Sequence, residues 1–159
     1  MSEKPFTLHC YCQMTNHFHM LLTSEDYEIG EIMQVLLSDY AKFFNRKYGY
    51  SGHLFDSRFT SKIVENPQYF LEVSRYIHLN PVKAGIVTKA EDYSYSSYNT
   101  YINGKKDPMI TTNKVFSMLE GDEKEKIYRN FVEGDGPHLE LEDEISKDMK
   151  ENKLWLPDD

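Results

Sequence analysis

Two imidazoles, a phenol and a carboxamide stand in this chain at spacings suited to phosphate chemistry. His17 and His19 lie one strand repeat apart in Asn16-His17-Phe18-His19-Met20-Leu21-Leu22. On a strand, residues i and i+2 share a face, so both rings look the same way while Phe18 and Met20 turn to the other side. That geometry suits two nitrogen ligands of one metal ion, although an isolated His-x-His also occurs as a chance pair in a half-buried strand. Tyr76 and Asn80 are four residues apart in an apolar-periodic stretch, so a phenol and a carboxamide emerge together on one shoulder of a helix. A nucleophile beside a neutral oxygen ligand is what the histidine pair lacks.

The elements that must position these groups are marked in the sequence. Asn66-Pro67 is a strong helix start, because Asn accepts a hydrogen bond at the N-cap and Pro tolerates the first helical position. Phe70, Val73 and Ile77 follow at helical spacing. Upstream, residues 6–14 alternate as a strand, Thr15-Asn16 can turn, and residues 17–23 supply an antiparallel neighbour. Apolar residues from Glu28 to Lys47 recur as in a helix, which Gly49 should end. After a loop over 49–57, Phe59 to Val64 reads as another strand. Residues 111–134 suggest two short helices, and Gly134-Asp135-Gly136-Pro137 a boundary. This order predicts an α+β fold, an antiparallel sheet with helices packed on one face. The predicted organisation is one domain over 1–134 and an acidic C-terminal tail over 135–159. Within that tail, Leu139 to Trp155 reads as a docked helix, an interaction tail or a partly disordered stretch.

Four segments, in order, resemble one family. They are Asn16-His17-Phe18-His19-Met20-Leu21-Leu22, Gly52-His53-Leu54-Phe55-Asp56-Ser57-Arg58-Phe59, Arg75-Tyr76-Ile77-His78-Leu79-Asn80-Pro81-Val82-Lys83-Ala84-Gly85-Ile86-Val87 and Asp92-Tyr93-Ser94-Tyr95-Ser96-Ser97-Tyr98. The chain is similar to the His-hydrophobic-His (HUH) single-tyrosine transposases of the insertion-sequence type, and within them to the group associated with repetitive extragenic palindromes. The resemblance implies a ferredoxin- or RRM-like nuclease sandwich that nicks and transfers single-stranded or hairpin DNA through a 5′-phosphotyrosine. Tyr76 would be the nucleophile. His17, His19 and Asn80 would hold a divalent ion, Mg²⁺ or Mn²⁺, on the scissile phosphate. A metal offsets the charge that grows there during attack, and a phenolate, with a reference pKa of about 10, is also a competent leaving group when the strand is rejoined.

Charge fits this reading only when divided along the chain. The total is 18 basic and 26 acidic residues, yet residues 121–159 carry a net −7 and residues 1–120 only −1. Residues 42–83 hold seven basic and three acidic positions, a local excess that a phosphate backbone needs. Arg58, Lys62, Arg75 and Lys83 are the expected DNA contacts, Arg58 because it lies between Phe55 and Phe59. Cys10 and Cys12 would share a strand face as small buried hydrophobes rather than as a disulfide. With no apolar run long enough to span a bilayer and no signal peptide, a cytoplasmic protein with no membrane partner is expected.

Members of the family usually carry a first strand and helix before the histidine region, whereas this chain reaches its pair at position 17. Either the chain is a fragment or a naturally shortened form whose sheet lacks its N-terminal strand, or a second subunit covers the exposed edge, since an unpaired edge invites association; a homodimer is expected. Tyr93, Tyr95, Tyr98 and Tyr101 could stack on unpaired bases or pack beneath the sheet. A second functional reading also stands: a domesticated, catalytically weak protein that binds nucleic-acid hairpins, with Tyr76 and the histidines kept as fold residues.

Overall fold

The computed structural model describes residues 6–134 and Ile145. Thr7–Gln13 (β1) and Phe18–Thr23 (β2) form an antiparallel hairpin with Gln13 opposite Phe18 and Cys12 opposite His19. The Met14 amide closes the turn by donating to the His17 carbonyl at 2.8 Å. The ladder is irregular between Leu8 and Cys10, the position of His9. That extra residue turns a buried imidazole between the Thr23 hydroxyl, 3.0 Å away, and the Thr111 carbonyl, 3.3 Å away. Beyond β1, the backbone of residues 95–97 and 110–111 covers the outer edge, with Ser97 donating to Tyr11 and Thr111 to Leu8. Cys10 and Cys12 are buried free thiols. Burial pushes both up, Cys12 to about 12.

Ile29–Tyr48 (α1) ends where Gly49 adopts a left-handed φ of 64° and its amide returns to the Asn45 carbonyl. Only Ile32 and Met33 of this helix are buried. Pro67–Lys83 (α2) starts as its sequence dictates, the Asn66 side chain accepting from the amides of Gln68 and Tyr69 at 2.8 and 3.4 Å. It lies on the hairpin and buries Phe70, Val73 and Ile77. Pro81 falls in its last turn, where a missing amide costs one ladder bond only. A 3-10 turn (Ala90–Asp92) leads to Tyr98–Ile102 (α3), Asn113–Ser117 (α4) and Lys124–Glu133 (α5). Helices and hairpin enclose one core, an α+β arrangement. None of the described helices is long and apolar enough to cross a membrane.

The strand predicted over Phe59 to Val64 does not form: among the described residues the sheet has two strands. This segment runs along the far side of a cleft of about 590 Å³ whose near wall is β2. A ladder needs a neighbour at about 4.8 Å. None is present among the described residues, and Ile63 is 82% exposed. Of the C-terminal tail, the reading of Leu139 to Trp155 lies outside the described residues except at Ile145, which is helical, 1% exposed, and packed in the main core beside that cleft.

Candidate functional site

The hairpin and α2 bring His17, His19 and Tyr76 together, with Asn80 one turn further along the same helix. His17 stands one residue before β2 and His19 one residue into it, and their rings meet edge to face at 4.9 Å between centroids. The His17 Nδ1 lies 2.8 Å from the Asn16 Oδ1; a proton donated there leaves the lone pair on Nε2. His19 is 6% exposed and its Nε2 has no hydrogen-bond partner among the described residues. A buried nitrogen in that state is costly unless something else binds it. Burial, reinforced by His17, pushes the His19 pKa down to about 4, so the ring is neutral at physiological pH, as a ligand must be.

Tyr76 comes from the facing surface of α2. Its ring is 5.9 Å from that of His19, centroid to centroid, at 77°. It is 7% exposed. One turn later, the Asn80 amide nitrogen donates to the Tyr76 carbonyl at 2.8 Å. That bond fixes the carboxamide and leaves its Oδ1 as the atom with ligand character. Two imidazoles, one of them with its buried Nε2 unsatisfied among the described residues, and one amide oxygen form a donor set that suits several first-row divalent ions as well as magnesium. Among the described residues no group of three or more His, Cys, Asp or Glu side chains offers an alternative site.

The four expected DNA contacts divide. Lys83 is exposed at the end of α2, its ammonium 5.0 Å above the Tyr76 ring. Lys62 is exposed on the cleft wall, 5.3 Å above the Tyr69 ring, and Arg58 is exposed in the loop before it. Arg75 differs. It is 8% exposed, and its guanidinium donates from Nε to the Phe131 carbonyl at 3.0 Å and from Nη2 to the Gly134 carbonyl at 3.4 Å. Its charge therefore caps the carbonyl end of α5, where the helix dipole favours a cation. Of the tyrosine cluster, Tyr98 and Tyr101 are wholly buried and pack in the core, while Tyr95 stays 63% exposed.

One residue went without a role in the sequence reading. His78, two residues after Tyr76 and fully buried, lies 2.8 Å from both the Tyr128 hydroxyl and the Ser97 hydroxyl. Tyr128 donates on to Ser74 at 2.9 Å and so accepts from His78, while Ser97 accepts from the Tyr11 amide at 2.9 Å and has its hydroxyl proton for the other His78 nitrogen. This network ties α2 to β1 and α5, and so fixes the height at which α2 presents Tyr76 to the hairpin. The only signal in the sequence was a polar ring on the apolar side of the α2 periodicity.

A family model described as "Transposase IS200 like" matches residues 1–80, a stretch that includes the hairpin, α1 and α2 through Asn80. No curated protein and no solved structure matches the chain.

Proposed function

The chain belongs to the IS200-like transposases, a family of DNA transposition, and we propose that it nicks and rejoins single-stranded DNA through a 5′-phosphotyrosine on Tyr76. The reading is carried by one observation, the Tyr76 ring packed beside His19 within one chain. In this reading the Tyr76 oxygen forms a bond to the scissile phosphorus while the bond to the 3′ oxygen breaks. The phenolic proton passes to water and the leaving 3′ oxygen takes one up. Rejoining is the reverse, so the strand is resealed without an external energy source.

His17, His19 and Asn80 would hold Mg²⁺ or Mn²⁺, which supplies offsetting charge to the phosphate when bound. Lys83, above the nucleophile's ring, adds fixed positive charge where the phosphate must approach. Lys62 extends that charge along the cleft wall and Arg58 into the loop before it, and Arg75 acts through α5 rather than on DNA. The substrate class is hairpin or palindromic DNA with unpaired flanks, as in the group associated with repetitive extragenic palindromes. We place the activity in residues 1–134 of a cytoplasmic protein, with 135–159 as an acidic C-terminal tail. The outer edge of β2, which pairs with no strand among the described residues, is the expected surface for a homodimer.

The test is a 3′-labelled oligonucleotide carrying a hairpin and a single-stranded flank, incubated with protein and Mn²⁺ and resolved under denaturing conditions. Wild-type protein should yield a covalent adduct that Tyr76→Phe does not. An adduct of equal yield in Tyr76→Phe overturns the assignment, and absence of any adduct from the wild type favours a hairpin-binding protein without catalysis.

A further inference from the structure

The second half of α1 is an aromatic surface that the fold leaves uncovered. Leu36, Tyr40, Phe43, Phe44, Lys47 and Tyr48 recur at the spacing of one helix face. Leu36 and Tyr40 are each 40% exposed, Phe43 48% and Tyr48 61%. The following loop does not bury them but enlarges the surface, Phe55 lying 6.3 Å from Tyr40 and Tyr50 6.2 Å from Phe44 between ring centroids. Cations flank the rings. The Lys47 ammonium sits 5.5 Å above Phe43 and 5.2 Å above Tyr48. Arg46, Lys47 and Arg58 have no carboxylate within ion-pair distance among the described residues, and Lys42 has only the exposed Asp39 at 3.5 Å.

The first turns of α1, Ile29, Gly30 and Met33, line the cleft that also receives His19. A helix rises 1.5 Å per residue, so residues 36–48 carry the aromatic face roughly 20 Å outward from the cleft. We infer that this face of α1, with the loop over 50–55, binds the unpaired flank of the DNA substrate, its rings stacking on bases and Lys42, Arg46 and Lys47 contacting phosphates. Interleaved rings and cations are the chemistry of single-strand recognition, because every base offers a π-face and every linkage a charge. A second copy of the chain fits this face less well. A two-fold centred near Tyr40 and Phe43 would set Lys42 beside its own mate, and each face carries an excess of positive charge.

The inference rests on the reading of the chain as a single-strand DNA enzyme, and binding assays separate the two. With Tyr76→Phe protein, which cannot react in that reading, fluorescence anisotropy is measured on a labelled mixed-sequence single strand and on a hairpin without flanks. Phe43→Ala/Tyr48→Ala should weaken single-strand binding roughly tenfold or more and leave the bare hairpin unchanged. Arg46→Ala/Lys47→Ala should lower the salt dependence, log Kd against log salt, by about 1.4. All four side chains are exposed, so the melting temperature should hold. Single-strand affinity unchanged in both variants overturns the inference. So does a loss of dimer mass in light scattering with affinity intact, which would make the face a self-interface. Failure of the parent protein to bind any single strand would instead remove the underlying reading.

Discussion

The His19 and Tyr76 rings meet at 5.9 Å within one chain, nearly perpendicular. The histidine end of the hairpin and the tyrosine helix are thus neighbours within one subunit, and the expectation is a site that needs no helix from a second one. Tyr76→Phe and His17→Ala proteins should each be inactive, and their mixture should stay inactive at any concentration. Restored cleavage through hybrid dimers would show that α2 serves a partner's histidines in solution.

His78 gives the fold a built-in sensitivity to acid. Wholly buried between two hydroxyls, its pKa is pushed down to about 3 from 6.5. Between those values the unfolded chain takes up a proton that the folded chain refuses. Stability is thus complete above pH 6.5 and declines as pH falls through the window, by up to about 1.4 kcal/mol per pH unit. His19, held at about 4, adds to the slope in the upper part of the same range. Urea denaturation in EDTA between pH 7 and 4.5 measures it, and a flat profile would refute the burial of both rings as neutral groups.

What the sequence showed and what it hid follow from the range of the forces involved. The hairpin, α1 and α2 were legible because alternation, helical spacing, the Asn66 cap and Gly49 act over a few residues. So was the meeting of His17 with His19, which a strand repeat enforces. The missing strand at Phe59 to Val64 was not legible, since a ladder depends on a neighbour that local pattern does not specify. Arg75 misled for a related reason. An arginine beside a nucleophile reads as a phosphate contact, and only the arrival of α5, more than fifty residues later, gives its guanidinium other acceptors. Ile145 shows the same limit, an apolar residue in an acidic stretch whose burial depends on the rest of the molecule.

Arg75 and Lys83 should consequently separate in experiment. Arg75→Met removes the guanidinium's hydrogen bonds to the Phe131 and Gly134 carbonyls and should lower unfolding free energy by about 1–3 kcal/mol, with the salt dependence of DNA binding unchanged. Lys83→Gln should leave stability nearly unchanged, reduce the salt slope for single strands by about 0.7, and slow adduct formation. The pair is checked by denaturant melts and anisotropy titrations in parallel. A reduced salt slope in Arg75→Met would return that residue to the DNA interface.

The Nε2 of His19, unsatisfied among the described residues, makes the proposed metal site testable without catalysis. Three neutral protein ligands bind a hard cation weakly, so the ion should be retained mainly when a phosphate completes its shell. In Tyr76→Phe protein, Mg²⁺ or Mn²⁺ alone should raise the melting temperature little, whereas either ion with a hairpin oligonucleotide should raise it more than the oligonucleotide does in EDTA. An ion held at one hundred times its dissociation constant would add about 2.7 kcal/mol. His19→Gln and Asn80→Ala should each abolish the ion-dependent part while keeping the part due to DNA. His19→Gln also removes the buried imidazole, so it should be at least as stable as the parent at pH 5, where the parent begins to bear the cost of excluding a proton. If the ion-dependent shift survives in both variants, the metal is held elsewhere and the histidine pair serves the fold.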